Sequence, residues 1–249
     1  MSDFNRGLTP PTSVVTDTSV DAGLRAFMLG VYNKVGLGLV LSAALAYVTG
    51  TVPQVQQFLF SRDQFGRVGL TILGMIVMWA PLAIILFQTF IRRRATPQSA
   101  ALTYWAVVAL FGASLGIWFL VYPVGNIVQT FLVTAIAFGG LSLVGYTTKR
   151  DLTGIGNFLI MGLFGLIFAS LAMFFFHSPA LAFAVNLIGV LIFAGLIAAN
   201  TQQLKLIYHQ VGGDTAAMNV ATSYGALRLY LDFVNLFQFL LYFMGGSRR

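Results

Sequence analysis

The chain has 249 residues, of which 58% are hydrophobic and 8% are charged, and its formal net charge is +7. Soluble proteins have roughly three times this share of charged residues, so the composition excludes a soluble globular domain. The chain has no cysteine, which excludes disulfides, thiolate catalysis and cysteine-ligated zinc.

The chain begins with a polar stretch rich in Ser, Thr and Pro, and we predict that residues 1–24 form a disordered cytoplasmic tail. Apolar runs of about 20 residues follow, the length with which an α-helix crosses a hydrocarbon core of about 30 Å. Seven such segments are predicted, at residues 25–48, 68–91, 102–121, 127–146, 155–176, 180–204 and 226–244. The sequence therefore predicts an all-α polytopic membrane protein, with a seven-helix transmembrane domain over residues 25–249.

The basic residues lie mostly between the apolar segments. If the amino terminus is cytoplasmic, that side holds Arg6, Arg25, Lys34, Arg92, Arg93, Arg94, Lys149, Arg150 and Lys205. Among the first six segments, the other side holds Arg62 and Arg67. The positive-inside rule therefore predicts a cytoplasmic amino terminus, and it explains the net charge without a nucleic-acid partner. Arg248 and Arg249 fall outside if the seventh segment spans the membrane and inside if it re-enters, and we favour spanning.

The seventh segment is long enough to cross a bilayer, yet it contains the polar residues Arg228, Asp232, Asn235 and Gln238. Positions 228, 232 and 235 share one face of a helix, so they form a stripe that must turn away from lipid. All seven acids of the chain are Asp, and Asp232 alone lies inside a long apolar segment. Ionisable groups at membrane depth face a bundle interior or a water-filled cavity. We therefore predict that the last helix is central in the bundle.

Three polar features each have two interpretations. Arg228, one helical turn before Asp232, either pairs with it or extends to the cytoplasm and leaves Asp232 free. Residues 200–202, Asn-Thr-Gln, end the sixth segment either as a plain polar boundary or as functional hydrogen-bonding groups. The arginines at 92–94 are either topology determinants or partners of a polar group at a cytoplasmic gate.

Catalytic motifs are missing from the sequence. Phosphate-binding loops, zinc-binding helix motifs and nucleophile elbows are absent, and His177 and His209 lie in predicted loops as solvated side chains. The chain has no glutamate and one intramembrane acid, which leaves neither a carboxylate pair for hydrolysis nor a metal cage in the membrane. We therefore expect no enzyme activity and no cofactor.

Three stretches of the sequence resemble the Bax inhibitor family, the transmembrane Bax-inhibitor-motif proteins, in its bacterial branch. The first runs from residue 130 to residue 154, and its matching parts are residues 130–138 and the sequence Gly-Tyr-Thr-Thr-Lys-Arg-Asp-Leu-Thr-Gly at 145–154. The others are the end of the sixth segment at 198–205 and residues 226–241, which contain Leu-Tyr-Leu-Asp-Phe-Val-Asn-Leu-Phe. The resemblance covers the third to seventh segments well and the first two loosely. It implies a seven-helix bundle whose last helix is surrounded by the other six, in a bacterial inner membrane.

The resemblance also implies a function, a passive and pH-modulated cation leak with calcium as the ion. The family's proposed pH sensor is a pair of aspartates, one ending helix six and one in helix seven, with an arginine after helix two as a latch. Asp232 matches the acid of helix seven, and Arg92, Arg93 and Arg94 match the arginine cluster. Where the family has Asp-Thr-Gln, this chain has Asn at position 200, which cannot titrate, so the pair is incomplete. We expect Asn200 to donate a hydrogen bond to Asp232 instead.

Two functions from different classes follow. In a leak, Asp232 with Asn200, Asn235 and backbone carbonyls would bind calcium weakly and in transit, because calcium takes about six to eight oxygen ligands. The alternative is a non-transporting regulator that binds a membrane-bound protease or other membrane proteins, as is suggested for some bacterial relatives. A leak needs a hydrated path to Asp232, whereas a regulator tolerates an Asp232 that is buried and paired.

Overall fold

The structure of the protein is a computed structural model that describes residues 13–62, 68–90, 95–173, 175–176 and 178–245. The elements within these residues are, in chain order, α1 (Ser13–Thr51), α2 (Pro53–Leu59), β1 (Phe60–Arg62), β2 (Val68–Leu70), α3 (Ile72–Phe90), α4 (Pro97–Ser114), α5 (Ile117–Val121), α6 (Val124–Thr147), α7 (Thr153–Ala172), α8 (Pro179–Val211) and α9 (Thr215–Met244).

The predicted fold class is confirmed. Within the described residues, six helical stretches are long and apolar enough to cross a membrane, and α3 is a shorter apolar helix. α4 and the short α5 together form one of the six stretches. The chain is an all-α polytopic membrane protein with a seven-helix core.

The structure differs from the predicted boundaries at the first two segments and at the last two, where α8 extends to Val211 with His209 in its last turn and α9 begins at Thr215. α1 begins at Ser13, so residues 13–24 of the predicted tail are helical, and residues 1–12 lie outside the described residues. The start of the second segment is a strand, because Val68 pairs with Arg62 in an antiparallel hairpin. α3 begins only after Thr71, whose hydroxyl accepts a hydrogen bond from the N–H of Gly74 at 3.0 Å and so caps the helix.

The connection between α8 and α9 is a tight turn with a clear local cause. Gly212 and Gly213 have φ angles of 42° and 82°, in the left-handed region that ends helices and that glycine adopts without strain. Asp214 then starts α9, because its carboxylate accepts hydrogen bonds from the N–H groups of Ala216 and Ala217 at 2.8 and 3.2 Å. α8 and α9 therefore run antiparallel and side by side.

α9 lies at the centre of the bundle. Its main neighbours are α1, α4, α6 and α8, whereas α3 packs mainly on α4 and α7 mainly on α8. The predicted central position is thus confirmed, although four helices make most of its contacts and α3 reaches it through the hydrogen bond between Tyr224 and Gln88. Large side chains on several faces of α9 are fully buried, among them Leu229, Tyr230, Leu236 and Leu241, as expected for a helix that is surrounded by others.

Close helix approaches depend on small residues. A Cβ added at Gly145 would clash with the backbone carbonyl of Ala198, so α6 and α8 touch through their backbones. A Cβ at Gly112 would lie 2.6 Å from the Cα of Ser42. Gly112 and Gly116 form a GxxxG pattern, and the structure uses this pattern to pack α4 and α5 on α1 within one chain.

α9 crosses the whole bundle. Its 30 residues give a length of about 45 Å. At its end, the carbonyl of Gly245 accepts a hydrogen bond from the side chain of Asn126 in the first turn of α6. We call the end of the bundle with the α6–α7 connection and the α8–α9 turn the basic end, because Lys149 and Arg150 lie there. α9 therefore ends opposite the basic end, as expected for a spanning helix, and Arg248 and Arg249 lie outside the described residues.

The orientation in the membrane stays a prediction, and cysteine labelling tests it without background because the chain has no native cysteine. Gln98, in the first turn of α4, is exposed at the basic end, and Val124, in the first turn of α6, is exposed at the opposite end. We expect a membrane-impermeant maleimide to label Val124→Cys in intact cells and Gln98→Cys only after permeabilisation. Labelling of Gln98→Cys in intact cells would reverse the orientation.

Candidate functional site

Asp232 and Asn200 form a buried pair between α9 and α8. The amide Nδ2 of Asn200 donates a hydrogen bond to Oδ2 of Asp232 at 2.6 Å. The two side chains are 8% and 5% exposed. Because buried polar groups in proteins have hydrogen-bond partners, the pair lets a carboxylate lie at this depth. The hydrogen bond predicted from the sequence is therefore present.

Arg228 does not pair with Asp232. Its Nη1 donates a hydrogen bond to the side-chain oxygen of Gln203 on α8, and its side chain is exposed. Among the described residues, Asp232 has one hydrogen-bond partner, Asn200, and no ion pair. Of the two interpretations of Arg228, the structure favours the one that leaves Asp232 without an arginine partner.

The other predicted site residues are not brought to Asp232. The Nδ2 of Asn235 donates to the carbonyl of Leu231 in its own helix at 2.8 Å, and the side chain is half-buried. The polar residues on this face of α9 therefore have separate hydrogen-bond partners: Gln203 for Arg228, Asn200 for Asp232 and Leu231 for Asn235. The latch candidates Arg92, Arg93 and Arg94 lie outside the described residues, so their role stays a prediction.

A partly polar cavity of about 400 Å³ leads to the buried pair. It lies between α7, α8 and α9, and both Asn200 and Asp232 contribute to its wall. Six further polar side chains line it: Thr153, Asn157, Gln202, Gln203, Gln210 and Arg228. Since Leu152 and Gln210 lie at the basic end, the cavity connects this end of the bundle with the carboxylate. We call it the Asp232 cavity.

Gln202 holds the α6–α7 connection against α8. Its Oε1 accepts a hydrogen bond from the N–H of Leu152 at 2.7 Å, and its Nε2 donates to the carbonyl of Arg150 at 2.7 Å. Asn200 and Gln202 point in different directions because they are about 200° apart around the helix. Residues 200–202 are therefore more than a polar boundary, although sequence reasoning did not find the role of Gln202.

Asp151, in the same connection, is an exposed acid at the basic end. Its carboxylate accepts a hydrogen bond from the N–H of Thr153 at 2.8 Å. The hydrogen bonds from the side chain and the backbone of Thr153 hold the pKa of Asp151 below its usual value. Asp151 is therefore charged at neutral pH, and it serves below as a control acid away from the buried pair.

Sequence reasoning also missed a second polar cluster, nearer the basic end. Lys34 of α1 donates to the hydroxyl of Ser223 in α9 at 2.7 Å. Next to it, Tyr224 donates to the side-chain oxygen of Gln88 in α3 at 2.9 Å, and Gln88 donates to Thr103 in α4. Four helices contribute to this cluster, so the spacing within any one segment could not reveal it. The adjacent Ser-Tyr in α9 was the only local signal.

On the other side of Asp232, aromatic side chains fill the bundle. The ring of Phe233 lies 5.4 Å from that of Phe131 and 5.5 Å from that of Phe138, centroid to centroid. Phe131 also contacts Phe237 at 6.3 Å. We call these four residues the aromatic plug. These side chains are apolar, and Phe131, Phe233 and Phe237 also line a separate apolar cavity of about 200 Å³, so the described residues here provide no polar continuation of the Asp232 cavity.

Comparisons with known proteins agree with this architecture. Residues 24–249 match the family model described as "Inhibitor of apoptosis-promoting Bax1". The inner membrane protein YbhL of Escherichia coli is 40% identical over 228 residues, which cover 91% of this chain and 94% of YbhL.

Two further relatives match over the full length of both chains. A protein of Caulobacter vibrioides is 56% identical over 249 residues, and one of Rickettsia prowazekii is 39% identical over 248 residues. The family model covers nearly the whole chain, including the helices that hold Asn200 and Asp232. The chain therefore belongs to the Bax inhibitor family.

Proposed function

We propose that the protein is a passive cation leak of a bacterial inner membrane, with calcium as the ion and Asp232 on its pathway. The observation that supports this proposal is the Asp232 cavity, because a leak needs a hydrated route to the intramembrane carboxylate. The inner membrane is the location stated for the relative YbhL.

The site suits weak binding in transit. The carboxylate of Asp232 and the amide oxygen of Asn200 offer few of the roughly six to eight oxygens that calcium takes, so water must supply the rest. Among the described residues, no group of three or more His, Cys, Asp or Glu side chains is placed to hold a metal. The sequence contains no nucleotide-binding motif to supply energy, so we propose a leak and neither a pump nor an enzyme.

Two features would control the leak. The aromatic plug must separate before an ion can pass from Asp232 to the opposite end. The described lining of the Asp232 cavity contains two charged side chains, Asp232 and Arg228. The positive charge of Arg228 opposes the entry of a divalent cation.

Calcium flux into proteoliposomes that contain a calcium-sensitive dye tests the proposal. We expect Asp232→Asn to lower the flux to that of protein-free vesicles, because the amide keeps the size of the side chain but removes its charge. Arg228→Gln is expected to raise the flux. Asp151→Asn, which removes an exposed acid that does not line the Asp232 cavity, should leave it unchanged. Equal flux in wild type and Asp232→Asn would contradict the role of Asp232.

The competing proposal is a non-transporting regulator of a membrane-bound protease, and the exposed face of α7 supports it. α7 packs mainly on α8, and the side chains of Phe158, Met161, Phe164 and Phe168 are 60% to 73% exposed. In the membrane such a face contacts lipid unless another transmembrane helix packs on it by van der Waals contact. Under this proposal, Phe164→Ala weakens co-purification of a membrane-bound ATP-dependent protease, and Asp232→Asn does not.

A further inference from the structure

α1 and α6 both pack on α9 but leave a groove between themselves. Near the basic end this groove forms a cavity of about 490 Å³, lined only by residues of α1 and α6. The edge-to-face contact of Tyr32 and Phe138, at 6.4 Å between ring centroids, bridges the two helices across the groove. Leu29 and Leu143 also line it and are 52% and 62% exposed, so the groove opens sideways toward lipid.

The mouth of this groove is positively charged. Arg25 lines it and is exposed. The Nζ of Lys205 lies 5.2 Å from the ring centroid of Tyr146, another lining residue, and donates to the carbonyl of Tyr146 at 2.6 Å. The lining contains no acidic side chain. An anionic group at the mouth would therefore meet favourable charges.

A buried hydroxyl in the wall has no partner. Ser142 is 4% exposed, and within the described structure its Oγ makes no hydrogen bond. In the same helix, Thr130 and Thr134 each donate to the carbonyl four residues earlier at 2.7 Å. Unpaired buried polar atoms are uncommon and point to a missing partner. Rotation about the Cα–Cβ bond would let the Ser142 hydroxyl donate to an acceptor in the groove.

We propose that the groove binds an anionic glycerophospholipid. One acyl chain lies between α1 and α6, the phosphate contacts Arg25, and an ester carbonyl accepts a hydrogen bond from Ser142. The order of these features matches the lipid, which has a charged headgroup, then ester groups, then a hydrocarbon chain. A basic residue at the membrane surface favours anionic over zwitterionic headgroups. A free phosphate would leave the apolar part of the groove unfilled.

The structure provides a variant that blocks the groove and a matched control. A Cβ at Gly139, in the groove lining, would meet no atom within 4 Å, and the same holds for the adjacent Gly140, which is outside the lining. Gly139→Phe therefore fills the groove, whereas Gly140→Phe places the same ring on another face of α6. Arg25→Gln removes the charge at the mouth, and Arg62→Gln removes one exposed charge at the opposite end.

Native mass spectrometry of the full chain, with equal amounts of phosphatidylglycerol and phosphatidylethanolamine, measures the binding. We expect Gly139→Phe to lower bound phosphatidylglycerol at least about fivefold, and Gly140→Phe to leave it unchanged. One basic residue at the membrane surface gives an anionic lipid an advantage of about fivefold in affinity, so Arg25→Gln should abolish the preference for phosphatidylglycerol. Arg62→Gln should keep this preference. Excess glycerol phosphate should not compete, since it lacks acyl chains, and competition by it would overturn the assignment to a lipid.

Folding of each variant is checked by its thermal transition in detergent. Equal lipid binding in folded Gly139→Phe and wild type would overturn the proposal. If Gly139→Phe does not fold, the lipid preference of Arg25→Gln tests the proposal, because an exposed side chain can be replaced without loss of the fold. An unchanged lipid preference in Arg25→Gln would then reject the site.

Discussion

Replacing Asn200 by aspartate is expected to give the leak a steep dependence on pH between about pH 6 and about pH 8. In the wild type, the amide of Asn200 lies 2.6 Å from the Asp232 carboxylate, so an aspartate at position 200 would place two carboxylates at hydrogen-bond distance. Two such groups resist being charged together and share a proton until the pH rises far enough to remove it. Wild-type Asn200 has no proton to share, so the wild-type leak should depend less on pH.

The sign of this dependence follows from the charge of the pair. As the pH falls, the pair gains a proton and loses one of its two negative charges. Arg228, in the wall of the same cavity, is then attracted less strongly toward Asp232 and obstructs the route less. We therefore expect the Asn200→Asp leak to increase as the pH falls.

A matched control separates the pair from an added charge. Gln203→Glu introduces a carboxylate into the same cavity, but beside Arg228, where it forms an ion pair rather than a proton-sharing pair. Calcium leak is measured against pH for wild type and both variants in the same lipid. A steep wild-type response that Asn200→Asp does not alter would place the pH sensor elsewhere. A response equally steep in Gln203→Glu would show that added charge, and not pairing, is the cause.

Replacing Asn200 by leucine is expected to destabilise the folded bundle by about 1–3 kcal/mol, the cost of a buried polar group that loses its hydrogen bond. The reason is that Asn200 is the hydrogen-bond partner of Asp232 in the described structure, and both side chains are buried. Asp232→Leu added to Asn200→Leu should recover most of this loss, since replacing both partners by apolar groups is often nearly neutral. The double variant should nevertheless lack the calcium leak.

The measurement is a double-mutant cycle of unfolding in mixed detergent micelles. The four proteins are wild type, Asn200→Leu, Asp232→Leu and the double variant, and the coupling free energy is the departure of the double variant from additivity. Thr147→Ala, at the exposed end of α6 and outside the lining of the Asp232 cavity, provides a surface reference. Additive losses in the cycle would mean that water in the Asp232 cavity, rather than Asn200, satisfies the carboxylate.

The sequence by itself determined the class of the protein and the identity of its central helix. An apolar run long enough to cross a bilayer has few possible structures other than an α-helix, because the backbone of a membrane-spanning segment must satisfy its own hydrogen bonds. Asp232, as the acid inside such a run, marked its helix as one that must avoid lipid. The resemblance to the Bax inhibitor family matched Asn200 with the second aspartate of the family's pair, and the predicted Asn200–Asp232 hydrogen bond depended on that resemblance.

Tertiary structure decided which partners the remaining polar side chains have. Arg228 and Asp232 lie one turn apart, and a local rule allows an ion pair, yet Gln203 on α8 accepts the hydrogen bond from Arg228. Gln202 binds the α6–α7 connection, and Lys34 binds Ser223, almost the whole chain away. The groove between α1 and α6 exists because each of the two helices packs mainly on other helices, α9 among them, and only weakly on the other. Spacing along one helix identifies the face on which a side chain lies, but the neighbouring helix decides what that face contacts.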